Sequence, residues 1–154
     1  MSRATTKRAK PLARARKSAA APAAPAPADP PATQPAANPH RGEHELALGG
    51  VTYRLRPSRE AINAIEAKTG RSMIELITAG NAGALTLVQL GVIAAALIHA
   101  GAEDELTRMI SAERVQELIY EGGVGKPTAR LTICLLDAAN GGRTSAGNAK
   151  AAAE

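Results

Sequence analysis

A chain of 154 residues with no Phe or Trp and only two aromatics, Tyr53 and Tyr120, has to build its core from Leu, Ile, Val, Ala and Met, which argues against a deep ring-walled small-molecule pocket. The formal net charge of +5 is segregated: residues 1–42 contribute +7, residues 43–140 contribute −3 and residues 141–154 contribute +1, so the basicity belongs to an arm and a nucleic-acid function cannot be read from the whole-chain charge. The one cysteine, Cys134, excludes an internal disulfide, and the longest apolar run, Leu90–Ile98, falls short of the ~20 residues that span a bilayer, so no membrane partner is expected.

In chain order, residues 1–39 are a low-complexity arm: a basic block, TTKRAKPLARARK, and then the Ala/Pro tract AAAPAAPAPADPPATQPAANP. Neither part can bury a core, so the arm is predicted to be disordered, with the Pro-rich tract a semi-rigid spacer. Lys7, Arg8, Lys10, Arg14, Arg16 and Lys17 are candidate polyanion contacts, able to meet nucleic acid weakly and without sequence preference, since no aromatics are interleaved for base stacking. The bland alternative is a solubilising tail. The block lacks an apolar h-region and so does not read as a secretory signal, although its composition overlaps that of transit peptides.

Folded order begins near residue 40 with a β-hairpin. Around Gly49-Gly50, Leu48 falls opposite Val51, Leu46 opposite Tyr53 and His44 opposite Leu55, which makes one face apolar. The other face pairs Glu45 with Arg54 and Glu43 with Arg56 in the same register. A two-stranded hairpin is marginal alone, so its apolar face is expected to lie on the helices or on another subunit.

Helices follow. Ser58 caps one with Ile62 and Ile65 inward and Gly70 as its stop, and the box Ser72–Glu75 opens a short helix through Ile77, broken by Gly80-Asn-Ala-Gly83. A second box, Thr86–Gln89, opens LVQLGVIAAALIHA, apolar around most of its circumference and hence the centre of the core. Glu103-Asp-Glu105 starts a short helix to Met109. Ser111 caps a helix with Val115, Leu118 and Ile119 on one side and Gly122-Gly123 as its stop. A last helix begins near Pro127 with Leu131, Leu135 and Leu136 inward. The fold class is therefore mainly α with a small N-terminal β-hairpin: a compact domain of about five helices over residues 40–140, with a flexible tail at 141–154.

Motifs for chemistry fail on named residues. GGVGKPT would need glycine at Tyr120 and a hydroxyl at Pro127 to be a phosphate loop, so it reads as a helix-to-helix turn. His40 and His44 beside Glu43 and Glu45 lack a second ligand cluster for a metal, and His44 more simply covers the strand end beside Leu55. Cys134 sits in an apolar run as a buried small hydrophobe, the serines occupy caps and the acids read as helix surface. Neither an enzyme nor a cofactor is expected.

The stretch NPHRGEHELALGGVTYRLRPSREAINAIEAKTG and the later ISAERVQELIYEGG resemble the tail-assembly-chaperone-like family of gene transfer agents and tailed phages, from about His40 to Gly142. The resemblance implies a non-enzymatic phage, prophage or gene-transfer-agent tail assembly chaperone in the cytoplasm of a bacterial host, binding the tape measure protein or another phage tail protein during virion assembly, with self-association along it. The alternatives are a structural, tube-associated tail component retained in the particle and, third, a nucleic-acid binder acting through the basic arm, although the segment Val115–Glu121 is acidic and makes a poor recognition helix. Candidate partner-binding residues are Leu46, Leu48, Val51 and Tyr53 on the hairpin with Leu118, Ile119 and Tyr120 on the later helix.

Overall fold

Gly49 and Gly50 both adopt positive φ, 56° and 80°, the conformation of a tight primed turn that matches the twist of paired strands. They join β1 (His44–Leu48) to β2 (Val51–Leu55) in the expected register, with Leu48 opposite Val51, Leu46 opposite Tyr53 and His44 opposite Leu55. Alternation then buries Leu46, Leu48, Tyr53 and Leu55 against the helices. The computed structural model describes residues 36–141, all within one compact unit; the arm expected over residues 1–39 and the tail expected over 141–154 lie almost wholly outside the described residues.

Of the two charge pairs expected on the hairpin's other face, Glu43–Arg56 is kept and Glu45–Arg54 is not. Arg54 leaves its cross-strand neighbour Glu45: its Nε donates to the Gly101 carbonyl at 2.9 Å and its Nη2 to Glu103 Oε1 at 3.2 Å. The end of a helix offers carbonyls with no partner of their own, and a guanidinium can satisfy one of these and a carboxylate together. Glu45 instead accepts from the Ala37 N–H at 3.3 Å. Glu43 is buried, accepts from the Asn38 N–H at 2.9 Å and has Arg56 Nε at 3.9 Å.

Six helices follow the hairpin among the described residues: α1 (Arg59–Thr69), α2 (Met73–Asn81), α3 (Leu87–Gly101), α4 (Glu105–Arg108), α5 (Ala112–Gly122) and α6 (Gly125–Ala139). Ser58, Asp104 and Ser111 cap their helices, and Ser72–Glu75 and Thr86–Gln89 form reciprocal capping boxes, so five starts are set by the local sequence. α3 is the core's axis, packed by α1, α5 and β2, while α2 lies on α6. Its Leu90, Ile93, Leu97 and Ile98 are buried, as an all-round apolar helix requires.

Two helix boundaries depart from the local signals. α2 does not break after Ile77 but continues through Gly80 to Asn81. Gly80 serves packing here, because a Cβ at that position would overlap the Thr132 side chain of α6. α6 starts at Gly125, not Pro127, with no side-chain cap; Pro127 sits in its first turn, where its missing N–H leaves no gap. The inward face of α6 holds Leu131, Cys134 and Leu135, while Leu136, about 100° on from Leu135, is 37% exposed.

Candidate functional site

The hairpin face is spent inside the molecule. Leu46, Leu48 and Tyr53, together with Leu118 and Ile119 of α5, are buried in the shared core, and Val51 is half-buried against it. Of the seven candidate contact residues only Tyr120, 73% exposed, faces water. The six basic candidates, Lys7, Arg8, Lys10, Arg14, Arg16 and Lys17, lie outside the described residues.

Other apolar side chains take up that outward role. Gly91 packs against Ala112 and Gln116, and His99 Nε2 meets the Ile110 carbonyl at 2.6 Å, so α3 and α5 run antiparallel. One turn beyond Gly91 and Gln116, Val88 (60% exposed) and Tyr120 therefore stand at the same end of the pair, with Val124 exposed just past α5. Beside them opens an uncharged groove of about 390 Å³ walled by Gly80, Gly83, Leu85, Leu87, Leu90 and Val124. Leu106 and Met109, exposed on and after α4, occupy the far end of the same pair. Exposed apolar side chains gathered in this way mark a protein-binding surface more than a catalytic one. The sequence signal was thin: Val88 and Tyr120 sit on the non-core positions of otherwise amphipathic or apolar helices, where a polar residue is the usual choice.

Polar burial sits elsewhere. His44 Nε2 lies 2.7 Å from Asp137 Oδ2, Asp137 is 2% exposed, and its Oδ1 has no partner among the described residues. This pair ties the first strand to the last helix, so His44 does more than cover Leu55, and Asp137 and Glu43 are exceptions to the reading of the acids as surface. A polar residue on the apolar face of β1 was the available sign that a buried partner existed; its identity was not encoded nearby.

Burial raises the Cys134 thiol to about 12, with the Asp137 carboxylate adding to the effect, and Tyr53 is likewise pushed up by desolvation. The thiol therefore stays protonated and, being fully buried, inert. Because the folded value lies above the unfolded one, this group favours the fold below the ordinary thiol range and ceases to do so as pH rises from there toward 12. We expect Cys134 to react with a chromogenic disulfide reagent only in denaturant, the labelling following the loss of helical circular dichroism; rapid stoichiometric labelling of native protein at pH 8 would place the thiol at the surface. Among the described residues no group of three or more His, Cys, Asp or Glu is arranged to hold a metal ion, and no helix is long and apolar enough to cross a membrane.

A protein-family model described as phage tail tube protein, GTA-gp10, matches residues 41–142. The chain belongs to this family. The match covers the hairpin and all six helices, so the GTA-gp10 family domain and the folded domain coincide. Comparison with curated proteins and with solved structures returns no match. Membership makes the chain a protein of phage and gene-transfer-agent tails, and other tail proteins are the partners that such a family suggests.

Proposed function

We propose that the chain is a tail assembly chaperone: a non-enzymatic protein, without cofactor, that binds the tape measure protein in the bacterial cytoplasm before the tail is complete. The observation that carries the reading is the exposed apolar ground at the α3/α5 end, Val88, Tyr120 and Val124 beside an uncharged groove, on a domain of the GTA-gp10 tail family. A long helical partner held soluble before assembly needs an apolar surface that takes up the apolar face of a helix, and a groove between helices supplies one. The basic arm then acts in a secondary way, through screened, non-specific attraction.

Co-expression with the tape measure protein tests this directly. The wild-type chain should be recovered with that protein from lysates and be absent from purified particles, and Val88→Asp with Tyr120→Asp should abolish recovery while leaving the circular dichroism and melting curve unchanged, because both side chains are already in water. The second reading, a structural tube component, is favoured by the family's description as a tail tube protein. It predicts the opposite: the chain present in purified particles in many copies.

A further inference from the structure

The two edges of the hairpin are covered unequally among the described residues. In a hairpin closed by a two-residue turn, the ladder bonds recur at every second pair from the turn, here Leu48–Val51, Leu46–Tyr53 and His44–Leu55. The intervening residues turn their N–H and C=O groups outward. On β2 the end of that edge is held by α3, where the Arg56 N–H donates to the Leu97 carbonyl at 3.0 Å and Gly101 lies against the Arg54 carbonyl, and only Thr52, next to the turn, has outward groups clear of the helix. On β1 the Glu43 N–H is taken by the Asn38 carbonyl at 3.2 Å, but the outward groups of Glu45 and Ala47, both exposed residues, have no partner among the described residues. Unpaired edges of this kind are templates for another strand.

A groove runs between this edge and α6, lined on the helix side by Lys126, Arg130 and Ile133. Lys126 and Arg130 are exposed and make no ion pair among the described residues. Next to them α6 presents Ala129, Ile133 and Leu136 at i, i+4 and i+7, one stripe, with Ile133 and Leu136 each 37% exposed.

We propose that a second copy of this chain occupies that edge, forming a two-fold dimer in which β1 pairs antiparallel with β1 of its partner and the two α6 stripes pack beneath the joined sheet. The pattern is self-complementary about Leu46. Glu45 falls opposite the partner's Ala47 and Ala47 opposite the partner's Glu45, so like charges do not meet directly. The arriving strand adds a second carboxylate to the groove in which the chain's own Glu45 already faces Lys126 and Arg130, two cations without an ion pair among the described residues. A foreign extended segment would satisfy the strand edge equally well but would leave Ile133 and Leu136 in water, which is why a second copy is the better occupant. The dimer leaves Val88 and Tyr120 free, although Ala129 lines both this groove and the one beside Val124.

Sedimentation or light scattering of the full chain at micromolar concentration should give twice the single-chain mass. Ala47→Pro removes only an outward N–H and leaves the β1–β2 ladder intact, and Ile133→Glu charges the stripe at an already exposed position. Each should weaken dimerisation about tenfold or more, equivalent to roughly 1.4 kcal/mol, without loss of circular dichroism; should Ala47→Pro disturb folding, Ile133→Glu decides. A variant carrying Glu45→Cys and Ala47→Cys should close into a covalent dimer under mild oxidation. A single-chain mass across the range overturns the proposal, as does a dimer indifferent to both substitutions or one whose introduced cysteines never join. Ala47→Pro abolishing tape measure recovery from a monomeric wild type would give the edge to that partner and equally overturn it.

Discussion

Replacing Leu48 and Tyr53 by Asp should unfold the domain outright. Both side chains are buried in the core shared by the hairpin, α3 and α5. Each contributes about 1.5–3 kcal/mol of burial, and each new carboxylate would enter an apolar site without a hydrogen-bonding partner, costing several kcal/mol more unless it took up a proton. Small domains have about 5–15 kcal/mol in total, so the pair of changes consumes most or all of it. Loss of helical circular dichroism and of a cooperative melt is the expected result, and Thr52→Asp, on the exposed outer face, should behave as wild type. A double variant melting within a few degrees of wild type would show that the face is not part of the core.

Gly101→Ala should be the most damaging glycine-to-alanine change among the described residues. Alanine normally improves a helix over glycine by roughly 0.5–1 kcal/mol, and Gly122→Ala, where nothing lies within 4 Å of the added carbon, should be neutral or slightly stabilising. At Gly101 the same carbon would overlap the Arg54 carbonyl, a backbone atom that cannot swing aside, and would also crowd the Arg56 N–H. Overpacking of this sort costs about 1–3 kcal/mol, occasionally more, and here it also spreads β2 from α3 and loosens the Arg54 bond to the Gly101 carbonyl. In a domain of this size that is a fall in Tm on the order of 10 °C. Equal melting temperatures for the two alanine variants would mean that α3 does not press on β2.

What the chain announces locally it keeps. The alternation in HELAL and VTYRL and the Gly-Gly turn were enough for the register, and the caps at Ser58, Ser72, Thr86 and Ser111 located four helix starts, because each is a pattern completed within a few residues. Gly80 misled because its reason for being glycine, the Thr132 side chain, lies 52 positions away. Leu136 looked inward on apolarity alone, although it lies about 140° around the helix from Leu131 and so falls at the margin of the buried face. Asp137 looked like surface because its partner sits at the other end of the domain. The contact residues suffered most: an apolar strand face reads the same whether a partner or the chain's own helices will cover it, and here the helices do, so only Tyr120 remained outside.

The His44–Asp137 contact joins positions 93 residues apart. A ribosome adding 5–20 residues per second therefore delivers β1 some ~5–20 s before the helix that completes its surroundings. Throughout that interval the nascent hairpin holds a histidine without its carboxylate, and its leucines wait first for α5 and then for α6 to enclose them. Those seconds of synthesis, more than the finished molecule, are when Leu46 and Leu48 are exposed to other chains.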